Sequence, residues 1–291
     1  MVSHEAEFAG SADAVVTVSD ELAGLLKKRH GLDRLPTVVL NAPDVDGDFD
    51  DTDMPTLREA CGIAKNVPLM VYSGAVATQR GLDIMVEALP SLPGVHVAFV
   101  VNRPGSRYMT ALLERAAELH ARDRVHVLPY VPYQYVPRFL SQADVGVIPL
   151  HHWPNHELAL ITKYFEYAHA HLPLVVSDVR TMAETTQRTG IGEVFKAEDL
   201  DDFVRACKSV LGDPKRYRAA YTAGMLADWT WRRQAETLDD VYRRLMPSQA
   251  QITSGAHRTV PLINREWKRA DWEYRPDESL SEARHERGTD R

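Results

Sequence analysis

Between Val67 and about Leu211, short apolar runs alternate with amphipathic stretches along the chain. The runs Leu69–Ser73, Val95–Val101, Arg124–Leu128, Asp144–Ile148 and Leu174–Ser177, with a shorter one at Glu193–Phe195, read as strands. Leu172–Pro173–Leu174–Val175–Val176 is apolar without a break, the mark of a strand covered on both faces. Helical spacing of apolar positions predicts helices over Gly81–Leu89, Arg107–Ala121, Pro132–Gln142, Thr162–Ala170 and Thr181–Arg188. This alternation predicts an α/β fold, a doubly wound parallel sheet with helices on both faces. Asp199–Leu211, Pro214–Gly224 and Asp228–Met246 follow as further helices. In the last, Trp231, Ala235, Leu238, Tyr242 and Leu245 recur as a stripe expected to face the core.

The two ends break the pattern. In residues 1–45, Ala12–Val18 reads as a short buried strand, Ser19 as an N-cap, Asp20–His30 as a helix and Pro36–Leu40 as a second strand. These pieces have too few neighbours to close a core and resemble the end of a domain whose bulk lies elsewhere. Residues 46–66 read as an acidic linker with a short helix, and 67–246 as the main domain. Residues 247–291 lose all periodicity and are expected to be mostly disordered. Trp267 and Trp272 within them read either as partner anchors or as the remains of a frayed helix.

Composition narrows the classes. A net charge of −7 leaves no overall electrostatic footprint for nucleic acid, so a polyanion would have to be held by local cations and amides. Cys61 and Cys207 stand far apart in no ligand spacing, as expected of a reducing, cytoplasmic setting. No apolar run approaches the roughly 18–20 residues that span a bilayer, and Met1 begins no signal-peptide pattern; surface association with a membrane stays open. The twelve histidines form no zinc spacing, so no metal is expected. There is no G-x-G-x-x-G, no phosphate-loop G-x-x-x-x-G-K-[ST] and no G-x-S-x-G elbow, which argues against dehydrogenases, P-loop enzymes and triad hydrolases.

The chemistry gathers at His156–Asp178. On a helical wheel, Glu166 and Tyr167 fall near Lys163, while Ile161, Tyr164, Phe165 and Ala168 take the other side. One face thus offers a cation, a carboxylate and a phenol beside a helix start whose free amides suit a phosphate. A carboxylate one turn in can take the paired hydroxyls of a ribose. The plainer alternative is a solvated i,i+3 charge pair on an ordinary amphipathic helix. Ligands of open parallel sheets bind outside the carboxyl ends of the strands. Here those ends carry Ser73–Gly74, Asn102–Arg103, Pro129–Tyr130–Val131, Pro149–Leu150 and Ser177–Asp178. The first crossover, Ser73–Gly81, gives a tight turn at Gly74 and then Arg80 before a helix, and the plain readings are a turn glycine and a solvated helix-start residue.

The order ADAVVTVSDEL, VVLNAPD, VYSGAVATQRGLDIMVEAL, VHVLPYVPYQYVPRFLSQADVGVIPL and HELALITKYFEYAHAHLPLVVSD resembles GT-B glycosyltransferases of the family 4 type, glycosyl transferases group 1. The match is to their C-terminal, Rossmann-like nucleotide-sugar-binding half and covers roughly residues 10–246. The resemblance implies retaining transfer of a hexosyl unit from a UDP- or GDP-sugar to a sugar, lipid-linked or small-molecule acceptor, with no further cofactor. It implies that Gly74 lets the backbone approach the diphosphate and that Arg80 contacts it. Tyr130 and Val131 would border the base, the amides of Leu160, Ile161 and Thr162 with Lys163 would hold the distal phosphate and sugar, and Glu166 would grip the ribose. Three departures stand out. Ala75 replaces the usual Arg. The first acid of the Glu-x7-Glu motif should fall at Leu158, leaving Glu157, one place off, as the candidate catalytic residue, a carboxylate for the sugar hydroxyls. The acceptor domain is nearly missing, which implies either a longer protein or a separate acceptor-domain chain. A non-catalytic nucleotide-sugar-binding or scaffolding domain, and an unrelated nucleotide-binding α/β protein, are the alternatives.

Overall fold

The computed structural model describes residues 2–45 and 54–246. The tail 247–291, with Trp267 and Trp272, and the acidic stretch 46–53 lie outside the described residues.

The chain opens with helix α1 (Val2–Ala9), which the sequence pattern does not predict. Then β1 (Val16–Thr17), α2 (Asp20–His30) and β2 (Thr37–Val38) form a parallel β-α-β unit. Ser19 caps α2, its Oγ accepting the Leu22 amide at 3.1 Å, and Gly31 ends the helix in the left-handed conformation. The strands are far shorter than the apolar runs Ala12–Val18 and Pro36–Leu40. The two pair only with each other among the described residues, and a ladder extends only where a neighbouring strand accepts it.

Helix α3 (Leu57–Cys61) starts in a capping box of Thr56 and Glu59. Its buried Arg58 donates to Gln142 O, Ala64 O and Val67 O and pairs with Asp144 at 2.7 Å. Asp144 also accepts the Leu69 amide, so one ion pair fixes the entry of two strands.

Those strands belong to a six-stranded, all-parallel sheet: β3 (Leu69–Gly74), β4 (His96–Val101), β5 (Val125–Pro129), β6 (Val145–Ile148), β7 (Leu174–Ser177) and β8 (Gly192–Phe195), in the order β5-β4-β3-β6-β7-β8. The crossovers carry α4 (Asp83–Glu87), α5 (Arg107–Glu118), α6 (Val136–Leu140), α7 (Thr162–His169) and α8 (Arg180–Thr189), and α9 (Leu200–Gly212) follows β8. Alternate residues of each strand feed opposite layers: Leu69 and Val71 pack with Tyr164 and Phe165 of α7, whereas Met70 and Tyr72 pack with Met85 of α4 and Phe203 of α9. The doubly wound sheet expected from the sequence is thus the fold observed.

Helix lengths depart from expectation where backbone chemistry intervenes. Gly81–Leu89 resolves into a 3₁₀ turn at Thr78–Arg80, the short α4 and another 3₁₀ turn at Leu89–Ser91, because Gly81 is left-handed (φ 65°) and Pro90 breaks the ladder. Pro132–Gln142 splits likewise into a 3₁₀ turn at Tyr133–Tyr135 and α6. Pro214–Gly224 becomes α10 (Pro214–Ala219) and α11 (Ala223–Asp228). Helix α12 (Trp231–Leu245) is amphipathic as expected, but its stripe is rotated: Trp231, Tyr242 and Leu245 are exposed, and the buried positions are Gln234 and Val241. Gln234 accepts the Leu40 amide at 2.9 Å and Trp231 N donates to Pro43 O, so α12 returns to the N-terminal unit instead of entering the main core.

Candidate functional site

The strand order reverses between β3, which leads outward to β4 and β5, and β6, which leads to β7 and β8. At such a switch point the crossovers diverge and leave a crevice at the carboxyl ends. A cavity of about 500 Å³ opens there, walled by the end of β3, the turn after β5, the loop 149–161 and the first turns of α7. Gly74, Arg80, Tyr130, Val131, Leu160, Ile161, Thr162, Lys163 and Glu166 all line it. Nine of the ten residues singled out in the sequence are therefore brought together, and Glu157 is not.

Lys163 is the unusual member. It is only 8% exposed, and its Nζ is the one buried side-chain polar atom among the described residues with no hydrogen-bond partner. The ammonium lies 3.4 Å from the centroid of the Tyr72 ring, an aromatic face in place of an anion. Burial drives its pKa well below the ordinary lysine value, and Arg80 nearby pushes it further; Glu166 opposes the shift without cancelling it. Two cations thus share one wall of the cavity. Gly74 makes room for them: its φ of 148° is one that side chains rarely adopt, and a Cβ there would collide with Lys163 Nζ.

Helix α7 adds its own donors. Ile161 at its N-cap is extended and makes no side-chain capping bond; the Tyr164 amide turns back to Ile161 O at 2.9 Å, which leaves the amides of Thr162 and Lys163 for a ligand. One turn on, Glu166 is held above the usual carboxylate range by burial, with Lys163 pulling the other way. Its charge in turn bears on Tyr130, whose phenol is held up chiefly by burial. Tyr130 and Tyr133 are both exposed at the rim, a flat aromatic edge above Val100, Val131 and Val136.

Tyr167 does not belong to this polar face as the wheel implies. It is fully buried, its hydroxyl accepting the Ser73 amide at 2.8 Å, and its ring fills the space left by Gly146. It ties α7 to the end of β3 and so fixes Lys163 against Gly74. A wheel cannot separate a phenol facing ligand from one facing an adjacent strand end.

Glu157 faces away from the cavity. Its Oε1 lies 2.6 Å from His152 Nδ1, its Oε2 accepts the Arg180 amide at 2.8 Å, and its carbonyl accepts Thr181 Oγ1. The one-residue shift in spacing is enough to turn the side chain to the far side of the loop. Ser73, one of the strand ends named from the sequence, also lines the cavity, as do Asn41, Asn155 and Ala159, which the sequence did not single out. Asn41 had a signal in the turn after the second N-terminal apolar run; Asn155 sits in an irregular loop where no periodicity applies. Cys61 and Cys207 are buried and free. Among the described residues no helix is long and apolar enough to cross a membrane.

Chemically, two cations and open amides on one wall, a carboxylate at mid-depth and an apolar, aromatic rim suit an elongated anion with a hydroxylated middle and a flat end. The model of the family described as glycosyl transferases group 1 matches residues 53–225. A D-inositol 3-phosphate glycosyltransferase of Xylanimonas cellulosilytica is 29% identical over 251 residues, 82% of this chain and 58% of that protein. Among solved structures, sucrose-phosphate synthase from Thermosynechococcus elongatus has a TM-score of 0.67 at 18% identity, over 84% of this chain and 61% of that one. Anabaena HepE in complex with UDP and glucose has a TM-score of 0.68 at 16% identity, over 84% and 66%. The chain spans about three fifths of the length of the curated relatives it matches first, 58% and 61%.

Proposed function

The chain belongs to the glycosyl transferases group 1 family, and from that premise we propose that it is the donor-binding part of a retaining glycosyltransferase. The single observation that carries this is Lys163 Nζ, buried and unpartnered next to Arg80 at an uncapped helix start. An anion arriving at that side chain would supply its missing hydrogen bond and offset the burial that lowers its pKa. A nucleoside diphosphate-sugar, UDP- or GDP-linked, meets the requirement. Its phosphates take Lys163, Arg80, the backbone at Gly74 and the amides around Leu160, Ile161 and Thr162. The ribose takes Glu166, and the base takes the rim at Tyr130 and Val131.

Transfer then follows from charge placement. As the bond from the sugar to the diphosphate breaks, negative charge grows on the leaving phosphate. Fixed cations and amides stabilise that charge more than the ground state, and one such donor contributes roughly 10²–10³ in rate. The hexosyl unit passes to a sugar, lipid-linked or small-molecule acceptor, held by a further domain of a longer protein or by a separate acceptor-domain chain, in the cytoplasm or at a membrane surface.

Calorimetric titration with UDP, GDP and their hexose conjugates tests the reading: at least one binds, and Glu166→Ala weakens it. No heat and no thermal shift with any of them would contradict it. One observation favours a second reading, nucleotide-sugar binding without turnover. With Glu157 turned away, Glu166 is the one carboxylate among the described cavity-lining residues. Binding with no sugar released or transferred, even with an acceptor-domain partner supplied, would favour it.

A further inference from the structure

The loop between β6 and α7 carries Asn155, Ala159, Leu160 and Ile161 into the cavity but has no regular secondary structure of its own. Side-chain and backbone hydrogen bonds outside the cavity hold it. Ser177 Oγ donates to Leu150 O at 2.6 Å, Ser19 Oγ donates to Leu158 O, and the His151 amide donates to Gln79 O. The central fastening is His152. Its Nδ1 lies 2.6 Å from Glu157 Oε1 and its Nε2 lies 2.9 Å from Asp178 Oδ1.

Both of those neighbours are carboxylate oxygens, and an ionised carboxylate only accepts. Both ring nitrogens must therefore donate, which only the imidazolium can do. Each carboxylate is itself anchored to backbone beyond the loop. Glu157 Oε2 takes the Arg180 amide at the start of α8, and Asp178 Oδ1 takes the Ala197 amide after β8. Protonated His152 thus joins the loop to the ends of β7 and β8. Once it loses a proton, one nitrogen presents a lone pair to a carboxylate oxygen, and one of the two fastenings becomes repulsive.

We infer that His152 is a positioning residue of the cavity: its imidazolium clamps the 149–161 loop in the binding-competent shape, and loss of its proton releases that loop. The ligand half of this inference rests on the donor-site reading above; the clamp itself does not. The charged groups around the ring are Glu157 on the loop and Asp178 at the end of β7, with Arg180 acting on Glu157 from α8. Neighbouring His151 faces Glu198 at 3.8 Å, and His156 bonds His151 O, so neither shares the clamp.

The sign follows from the direction of the shift. The hydrogen bond to Glu157, reinforced by Asp178, raises the pKa of His152 above the ordinary histidine value against partial desolvation. The clamped form is therefore fully favoured below the ordinary value and is lost as pH rises through the raised one. The His152 side chain is 51% exposed, so solvent screens the pair, and each pKa unit of elevation corresponds to at most roughly a tenfold change in the clamped-to-released ratio.

Hydrogen exchange of the 153–161 amides, corrected for intrinsic rates at each pH, reads the clamp without any ligand. UDP titrations over the same pH series read its consequence. In the wild type, protection and UDP affinity should fall together as pH rises, by at most roughly tenfold per unit of elevation. In His152→Gln, which keeps one donor and carries no titratable proton, loop protection should be lower at low pH and flat across the series, and UDP affinity should keep only the pH dependence that Glu166 and Lys163 impose. Protection that is independent of pH in the wild type, or an identical pH profile in His152→Gln, would overturn the inference. A pH-dependent loop in the wild type, flat in the variant, with no UDP bound at any pH would uphold the clamp and overturn the donor site instead.

Discussion

Replacing Lys163 with Met should stabilise the protein and cripple its ligand binding at once. The side chain is nearly isosteric, and its site is built around an amine that the folded protein does not satisfy. A buried polar group without a partner costs about 1–3 kcal/mol, more if charged. Against this stands whatever the Tyr72 face returns at 3.4 Å, about 0.5–2 kcal/mol for a charged ammonium and less for an amine whose pKa burial has lowered. A methionine sulfur recovers part of that contact with the ring. The net is a gain of about 1 kcal/mol, or roughly 2–4 °C in Tm for a chain of this size. Ligand binding moves the opposite way. A charge-assisted hydrogen bond to phosphate is worth about 1.5–3 kcal/mol, so UDP affinity should fall roughly 10- to 150-fold. Scanning calorimetry without ligand and titration with UDP measure the two effects on one preparation. A lower Tm in Lys163→Met would mean that the amine is satisfied in the free protein. An unchanged UDP affinity would mean that it does not face the phosphates. Either result refutes the reasoning.

Other substitutions probe the remaining walls. Gly74→Ala should lower stability by about 1–3 kcal/mol from backbone strain and displace Lys163, abolishing UDP binding; urea midpoints and titration check both. Glu166→Gln should erase a preference for UDP over 2′-deoxy-UDP of roughly tenfold, read by competition titration. Because Glu166 is held above the usual carboxylate range, wild-type UDP affinity should also weaken as pH falls through that raised value, and Glu166→Gln should lose this acid limb. The diphosphate should restore the depressed pKa of Lys163, so binding at alkaline pH should take up a proton, at most about one per UDP. Titrations in buffers of different ionisation enthalpy would reveal it, and its absence in Lys163→Met identifies the group. Arg58→Ala should cost about 3–5 kcal/mol by stranding Asp144 at the strand entries, seen as a shifted denaturant midpoint with little change in the denaturant slope.

The parallel sheet was legible because its central strands are short, almost wholly apolar runs, such as Leu69–Tyr72, Val97–Val101 and Leu174–Val176, a pattern that burial on two faces demands and that local sequence displays. The cavity was legible for a related reason: strand ends and helix starts are marked by Gly74, Thr162 and their neighbours, and topology alone brings them to one edge. What local pattern could not supply was orientation. Tyr167 shares a wheel sector with Lys163, yet the pairing of β3 with β6 leaves Gly146 beneath its ring and draws it into the core. Glu157 has the right charge near the right place, but its neighbours His152 and Arg180 take both oxygens. The stripe on α12 was misplaced because its partner is the turn at Leu40–Pro43, almost two hundred residues away, and not the adjacent core. Helix α1 carries no apolar period strong enough to announce itself.

A crystal structure of the chain with UDP tests the central claim most directly. The diphosphate should lie within about 3 Å of Lys163 Nζ, over Gly74 and beside Arg80, with the ribose hydroxyls on Glu166 and the base at Tyr130. A nucleotide bound elsewhere, or Lys163 left unpartnered with UDP in the cavity, would contradict it.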